Sequence, residues 1–123
     1  MNSRAVKDQL YEQVARIGQA LSNPKRLELM ELLAQGEKAV ETLASELSAD
    51  IKLTSAHLKV LREARLVVSH REGKRVIYRL SGEDVALLGV GLRRVAEAHL
   101  LELREVLQKM LAYPGKLRKP THY

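Results

Sequence analysis

Eight cationic side chains fall between residues 52 and 79: Lys52, Lys59, Arg62, Arg65, Arg71, Lys74, Arg75 and Arg79, opposed only by Glu63 and Glu72. The chain's formal net charge is +6, and this stretch carries all of it; elsewhere cations and anions balance. Lysine and arginine neutralise phosphates and release their counterions, so a basic excess confined to one segment suits docking to a polyanion. A solvated, arginine-rich face is the alternative. Other chemistries find less support. With no cysteine there is no disulfide, no thiolate metal site and no cysteine nucleophile. No glycine-rich phosphate loop, His-Glu-x-x-His pair or serine elbow occurs, so the expectation is a protein that is not an enzyme and holds no cofactor. Without Trp or Phe, and with four Tyr, an aromatic base-stacking platform is also disfavoured.

The elements that would position this charge follow from hydrophobic periodicity. The 123 residues suffice for one core. Val6, Leu10, Val14, Ile17 and Leu21 recur at helical spacing, predicting an amphipathic helix over about residues 4–21. Asn23-Pro24 then caps a second helix, with Leu27, Leu29, Met30, Leu32 and Leu33 as its buried face and Gly36 as its end. Val40, Leu43, Ala44 and Leu47 form a short third helix. Ser48-Ala49-Asp50 is a tight turn, and Asp50 caps a fourth helix reaching about Ala64. The period then changes to alternation: residues 66–71 and 75–80 predict a β-hairpin with Glu72-Gly73-Lys74 at its tip. Ser81 to Asp84 reads as a capping box for a last helix ending near Ala112. Pro114-Gly115 stops it, and residues 113–123 read as a basic, flexible tail.

The last helix is apolar on more than one side: Val85, Leu88, Leu92, Val95, Ala96, Leu100, Leu103, Val106, Leu107 and Met110. A body of 13.9 kDa offers too little core to cover that surface, so a second copy is expected to do so. Val6 and Leu10 of the first helix, with Leu88, Leu92, Val95 and Leu103 of the last, are the expected dimer contacts. Burial within one chain is the competing account. No apolar run approaches the ~20 residues of a membrane span, and Met-Asn-Ser-Arg is too polar a start for a secretory signal. A cytoplasmic, single-domain protein without membrane contact is expected, with domain bounds 1–112.

Four helices followed by a hairpin and a last helix, α-α-α-α-β-β-α, is the layout of a winged helix-turn-helix, mainly α with a β-hairpin. In the fourth helix, Thr54, Leu58 and Leu61 lie on one face and would anchor it. Lys52, Leu53, Ser55, Ala56 and Lys59 lie on the other, near the end that meets base edges in a major groove. There Lys52 and Lys59 can reach phosphate or guanine acceptors, Ser55 can bond a base or the backbone, and Leu53 and Ala56 can touch a thymine methyl. Arg62 adds charge on the same helix.

The pieces Ala20-Leu-Ser-Asn-Pro-Lys-Arg-Leu27, Val40-Glu-Thr-Leu-Ala44, Ser55-Ala-His-Leu-Lys-Val-Leu-Arg-Glu-Ala64 and Gly73-Lys-Arg-Val-Ile-Tyr-Arg-Leu80 resemble the ArsR/SmtB family of bacterial transcriptional repressors. The resemblance runs over roughly residues 5–112. It is nearest to the ArsR-type half of proteins that fuse this domain to a rhodanese, here without the rhodanese. It implies a homodimer on double-stranded DNA, through the first and last helices, and an inducer that is unknown. Arg71, Lys74 and Arg75 would then lie along the sugar-phosphate backbone as a wing. His57, the histidine of the family's Ser-x-His-Leu, would either orient the reading helix or bond a phosphate. Tyr78 is expected to pack its ring against the core.

Two positions depart from the family. Ala56 stands where a polar residue such as Gln is common, and Arg65 stands where Gly usually ends the helix in a left-handed conformation. The family's metal sites are also incomplete. Ala39 and Glu41 replace the third-helix cysteines, and Glu31 stands near a thiol position of the thiol-sensing members. His99 and Glu102 match half of the last-helix zinc and nickel set, but Ala86 and Leu88 occupy the other half. Two ligands do not make a tetrahedral zinc site, so no metal is expected. Three functions remain: a sequence-specific repressor on an inverted repeat, a winged-helix module for protein-protein assembly, or a nonspecific architectural DNA binder.

Overall fold

A computed structural model describes residues 2–112, so the expected tail at 113–123 lies outside the described residues. The chain divides into two compact units, the first running Met1–Gly89 and the second beginning at Val90. The elements are α1 (Ser3–Ala20), α2 (Pro24–Ala34), β1 (Lys38–Ala39), α3 (Val40–Leu47), α4 (Ile51–Glu63), β2 (Val67–Glu72), β3 (Arg75–Leu80) and α5 (Glu83–Ala112).

Short polar side chains set the starts of α2 and α4. The Asn23 side chain accepts from the amides of Lys25 (2.9 Å) and Arg26 (3.1 Å). Pro24 fills the first turn, where its missing donor costs nothing. Asp50 accepts from the Leu53 amide at 2.6 Å and so begins α4 where the sequence placed it. Two helices end on a left-handed residue: Ser48 after α3 has φ 55°, and Arg65 after α4 has φ 64°. At α4 the Leu66 amide bonds the Leu61 carbonyl (3.0 Å) and the Arg65 amide bonds that of Arg62 (2.9 Å). That is a Schellman ending, and Leu61 and Leu66, the two residues such an ending brings together, are both buried in the core.

Leu29, Leu33, Leu43, Leu47, Leu58, Leu61, Leu66, Val67 and Tyr78 form the core of the first unit, with Ile17, Leu21 and Val85 packed against it. Each fully buried leucine is worth about 1.5–3 kcal/mol, and Leu58 and Leu61 hold α4 by two such side chains on one face. Thr54, on that same face, is fully buried and satisfies its hydroxyl by donating to the Asp50 carbonyl at 2.8 Å.

Four details differ from the sequence reading. A two-residue strand, β1, pairs antiparallel with β3 (Lys38 opposite Tyr78, Ala39 opposite Ile77) and makes a three-stranded sheet of order β1-β3-β2. Two residues are too few to show an alternation, yet they satisfy the outer edge of β3. The hairpin loop is Gly73-Lys74 rather than three residues, since Glu72 pairs with Arg75. Gly73 takes φ 63°, which a two-residue hairpin loop demands of its first residue. The capping box does not form: the Ser81 hydroxyl donates to the Arg65 carbonyl (2.8 Å) and its amide to Leu66 (3.0 Å). Tertiary partners outcompete the local cap, and α5 starts two residues later with Glu83 and Asp84 in its first turn. Leu27, expected on the buried face of α2, is 41% exposed.

The apolar stripe of α1 is left open. Val6, Leu10 and Val14 are each more than half exposed. In α5, a helix of 30 residues, none is buried.

Candidate nucleic-acid interface

The buried face of α4 dictates what its other faces present. With Thr54, Leu58 and Leu61 turned to the core, Lys52, Leu53, Ala56 and Lys59 are exposed and Ser55 and His57 are half-buried. Arg62 is exposed one turn further on. Lys59 reaches Glu63 at 4.0 Å, a solvent-exposed i,i+4 pair that costs little to open. The expected reading face is therefore assembled in one place, apart from Ser55, which is less accessible than its neighbours.

The hairpin residues are not one row. Alternation puts Arg75 and Arg79 on one face of the β2–β3 ribbon, with Glu72, His70 and Val68. Arg71 lies on the opposite face with Ser69, Val76 and Tyr78. Lys74 is at the loop, and Arg71, Lys74 and Arg75 are all exposed. Arg75 stands directly across from Glu72, which also pairs with His70 at 3.1 Å. The Tyr78 ring is buried, as expected.

Two residues that spacing alone did not single out hold the frame together. Lys25 and Arg26 sit in the first turn of α2, the wrong end of their own helix for a cation. Each serves a neighbour's C-terminal end instead. The Lys25 Nζ donates to the Leu47 carbonyl at the end of α3 (3.3 Å). The Arg26 guanidinium donates through Nε to the Ala20 carbonyl and through Nη2 to that of Gln19 (3.2 Å), closing α1. The signal was present: paired cations in a helix's first turn beg for a partner elsewhere. Arg26 Nη1 also lies 3.4 Å from His57 Nδ1. Partial burial first, then the charges of Arg26 and Lys25, hold the His57 imidazole below its ordinary pKa.

Arg65 lines a cleft of about 560 Å³ with Gln13 and Arg16 of α1, Glu63 of α4 and the cap residue Ala64. Among the described residues, Glu37, His70 and Glu72 bring potential metal-ligand atoms within 4.8 Å of one another. All three are exposed, and the sequence could not join Glu37, just before β1, to His70 and Glu72 on β2, because β3 lies between those strands. His99 and Glu102 are both exposed on α5.

Comparison with known proteins places this geometry. Residues 23–69 match the model of the arsR family of bacterial regulatory proteins, a span from the Asn23 cap to the middle of β2. The chain is 43% identical over 108 residues to the HTH-type transcriptional regulator Rv0324 of Mycobacterium tuberculosis, covering 88% of this chain and 48% of that relative's length. It therefore spans about half of that relative. The solution NMR structure of the homodimeric winged helix-turn-helix DNA-binding domain Mb0332 from Mycobacterium bovis, a fragment of residues 1–100, superposes with TM-score 0.74 at 45% identity, covering 81% of this chain and 91% of that one. The transcriptional repressor BigR from Xylella fastidiosa superposes with TM-score 0.65 at 32% identity, over 77% of this chain and 96% of that one. A winged helix-turn-helix with its basic segment on α4 and the hairpin, 32% identical to a repressor that it covers almost end to end, belongs to the arsR family of bacterial regulatory proteins.

Proposed function

We propose that this chain is a homodimeric, sequence-specific transcriptional repressor acting in the cytoplasm on an inverted-repeat operator. The observation that carries this reading is the division of α4. One face is pinned by three fully buried side chains, and the other offers Lys52, Leu53, Ala56 and Lys59 to solvent beside a cationic hairpin. Base edges are read by Lys52, Ser55 and Lys59, with Leu53 and Ala56 against thymine methyls. His57 and Arg62 lie at the phosphate margin. Arg71, Lys74 and Arg75 position the wing on the backbone. The two faces of the ribbon give these residues different roles: Arg75 follows one strand, while Arg71 approaches from the other side.

Dimerisation covers the exposed apolar residues of each unit, Val6 and Leu10 on α1 and Leu88, Leu92, Val95 and Leu103 on α5. Two-fold symmetry then sets two reading helices about 34 Å apart, one turn of DNA. That the similar domain Mb0332 is a homodimer supports dimerisation here. The reading needs no cofactor and no catalytic step. No helix among the described residues is long and apolar enough to cross a membrane, and the reading involves none.

The test is fluorescence anisotropy of operator and random duplexes across a salt series. Arg75→Ala weakens both alike and lowers the salt slope by about one unit, because a phosphate contact releases counterion without reading sequence. Lys52→Ala or Ser55→Ala narrows the difference between operator and random DNA, by about 1–3 kcal/mol for one lost base contact. Affinities and slope unchanged by Arg75→Ala would remove the wing from DNA and favour a protein-assembly module. Equal affinity for all duplexes would favour an architectural binder.

A further inference from the structure

One guanidinium touches three helices. Arg26 belongs to α2, bonds the last carbonyls of α1 at Gln19 and Ala20, and approaches the His57 ring on α4. Arginine can only donate, so His57 Nδ1 accepts and the ring proton resides on Nε2. The planar fork holds these acceptors in fixed directions, which a flexible ammonium cannot do. The neighbouring joint is built differently: Ser22 Oγ also donates to the Gln19 carbonyl, at 2.6 Å, and does not reach α4. One hydroxyl and one guanidinium thus cap the same end of α1, and the guanidinium continues to α4.

We infer that Arg26 is a positioning residue that sets the reading helix relative to α1, and so fixes the half-site spacing the dimer accepts. The inference rests on the proposed function, in which α1 faces the partner and α4 enters the groove. If α1 is held by the dimer, any freedom between α1 and α4 appears as freedom in the distance and angle between the two reading helices. DNA measures both at once. Inserting one base pair moves a half-site by about 3.4 Å along the axis and turns it by about a tenth of a helical turn. A stiff joint cannot follow both changes. A loose one can follow part of each.

The test measures spacing discrimination on duplexes carrying a selected operator with its half-sites moved by one base pair in either direction. The proteins are wild type, Arg26→Gln, Arg26→Lys, His57→Leu, His57→Asn and Ser22→Ala. Wild type loses about tenfold on each altered duplex, as one half-site's contacts leave register. Arg26→Gln and His57→Leu lose threefold or less, with the salt slope of Arg26→Gln unchanged. His57→Asn restores discrimination, because its amide oxygen can stand near the Nδ1 position and accept. Arg26→Lys keeps the charge without the fork and stays loose. Ser22→Ala, which removes a cap from the same end of α1, keeps the wild-type profile and so separates positioning from general loss of stability. If Arg26→Gln fails to fold, His57→Leu, with the α1 caps intact, carries the comparison.

Wild-type discrimination in both Arg26→Gln and His57→Leu would overturn this inference and leave the repressor reading standing. A Ser22→Ala profile as flat as that of Arg26→Gln would overturn it too, since any damage to the end of α1 would then suffice. No spacing preference in the wild type would overturn both readings together.

Discussion

Arg65→Gly makes this protein more stable, although it removes a long side chain and creates no contact. Arg65 is the residue after the α4 cap, in the left-handed region at φ 64°. A side chain there brings Cβ against the following carbonyl, at a cost of roughly 1–2 kcal/mol. The position cannot relax, because the amides of Arg65 and Leu66 bond back into α4 and the Arg65 carbonyl accepts from the Ser81 hydroxyl. Glycine relieves the strain but loses more freedom on folding, which returns about 0.5–1 kcal/mol. The net gain is about 0.5–1 kcal/mol, a rise in Tm of about 2–6 °C for a chain of this size. Arg65→Ala is the necessary companion. It deletes the same guanidinium and keeps the Cβ, so it gains nothing. Circular dichroism melts of all three proteins at one fixed concentration make the comparison, since melting of a dimer depends on concentration. A Tm for Arg65→Gly no higher than for Arg65→Ala would refute the strain argument. The same pair decides why arginine stands here: if its charge holds DNA, both variants lose about 0.9 of a unit of salt slope.

Leu92→Glu or Leu103→Glu yields monomer or aggregate by light scattering, because each puts a charge on an apolar face with no cover in a single chain; a wild-type monomer at micromolar concentration would remove the symmetric operator with it. Zinc, cadmium, arsenite or persulfide leaves operator affinity unchanged, and His99→Ala is silent; a zinc effect abolished by Glu37→Gln or His70→Asn would instead assign metal binding to the exposed cluster at the wing. His57 titrates lower in the folded protein than in the unfolded chain, so its share of stability is complete above the ordinary imidazole value near 6.5 and is lost as pH falls from there to its lowered folded value. Urea melts between pH 7.5 and 5 show this loss, and His57→Asn removes it; an unchanged pH dependence in that variant would show that other groups produce it.

Much of the fold was legible because its signals are local. Asn23-Pro24, Asp50 and the glycine at the hairpin tip act on amides within a few residues, and the helical repeat of α4 assigns Thr54, Leu58 and Leu61 to the core without knowledge of what they touch. The charge between residues 52 and 79 is likewise written in the chain, as is the excess of apolar surface on α5. Tertiary structure decided the rest, wherever a group had partners far along the chain. Ser81 had a local cap within reach and took the Arg65 carbonyl instead. Lys38 and Ala39 form a strand because β3, some forty residues on, has an edge to satisfy. Pairing of Glu72 with Arg75 sent Arg71 and Arg75 to opposite faces, since a strand alternates residue by residue and register decides which side each side chain takes. Lys25 and Arg26 are the sharpest case. Sequence shows two cations at the unfavourable end of their own helix, and only the packing of three helices supplies the carbonyls of α1 and α3 and the ring of His57 that account for them.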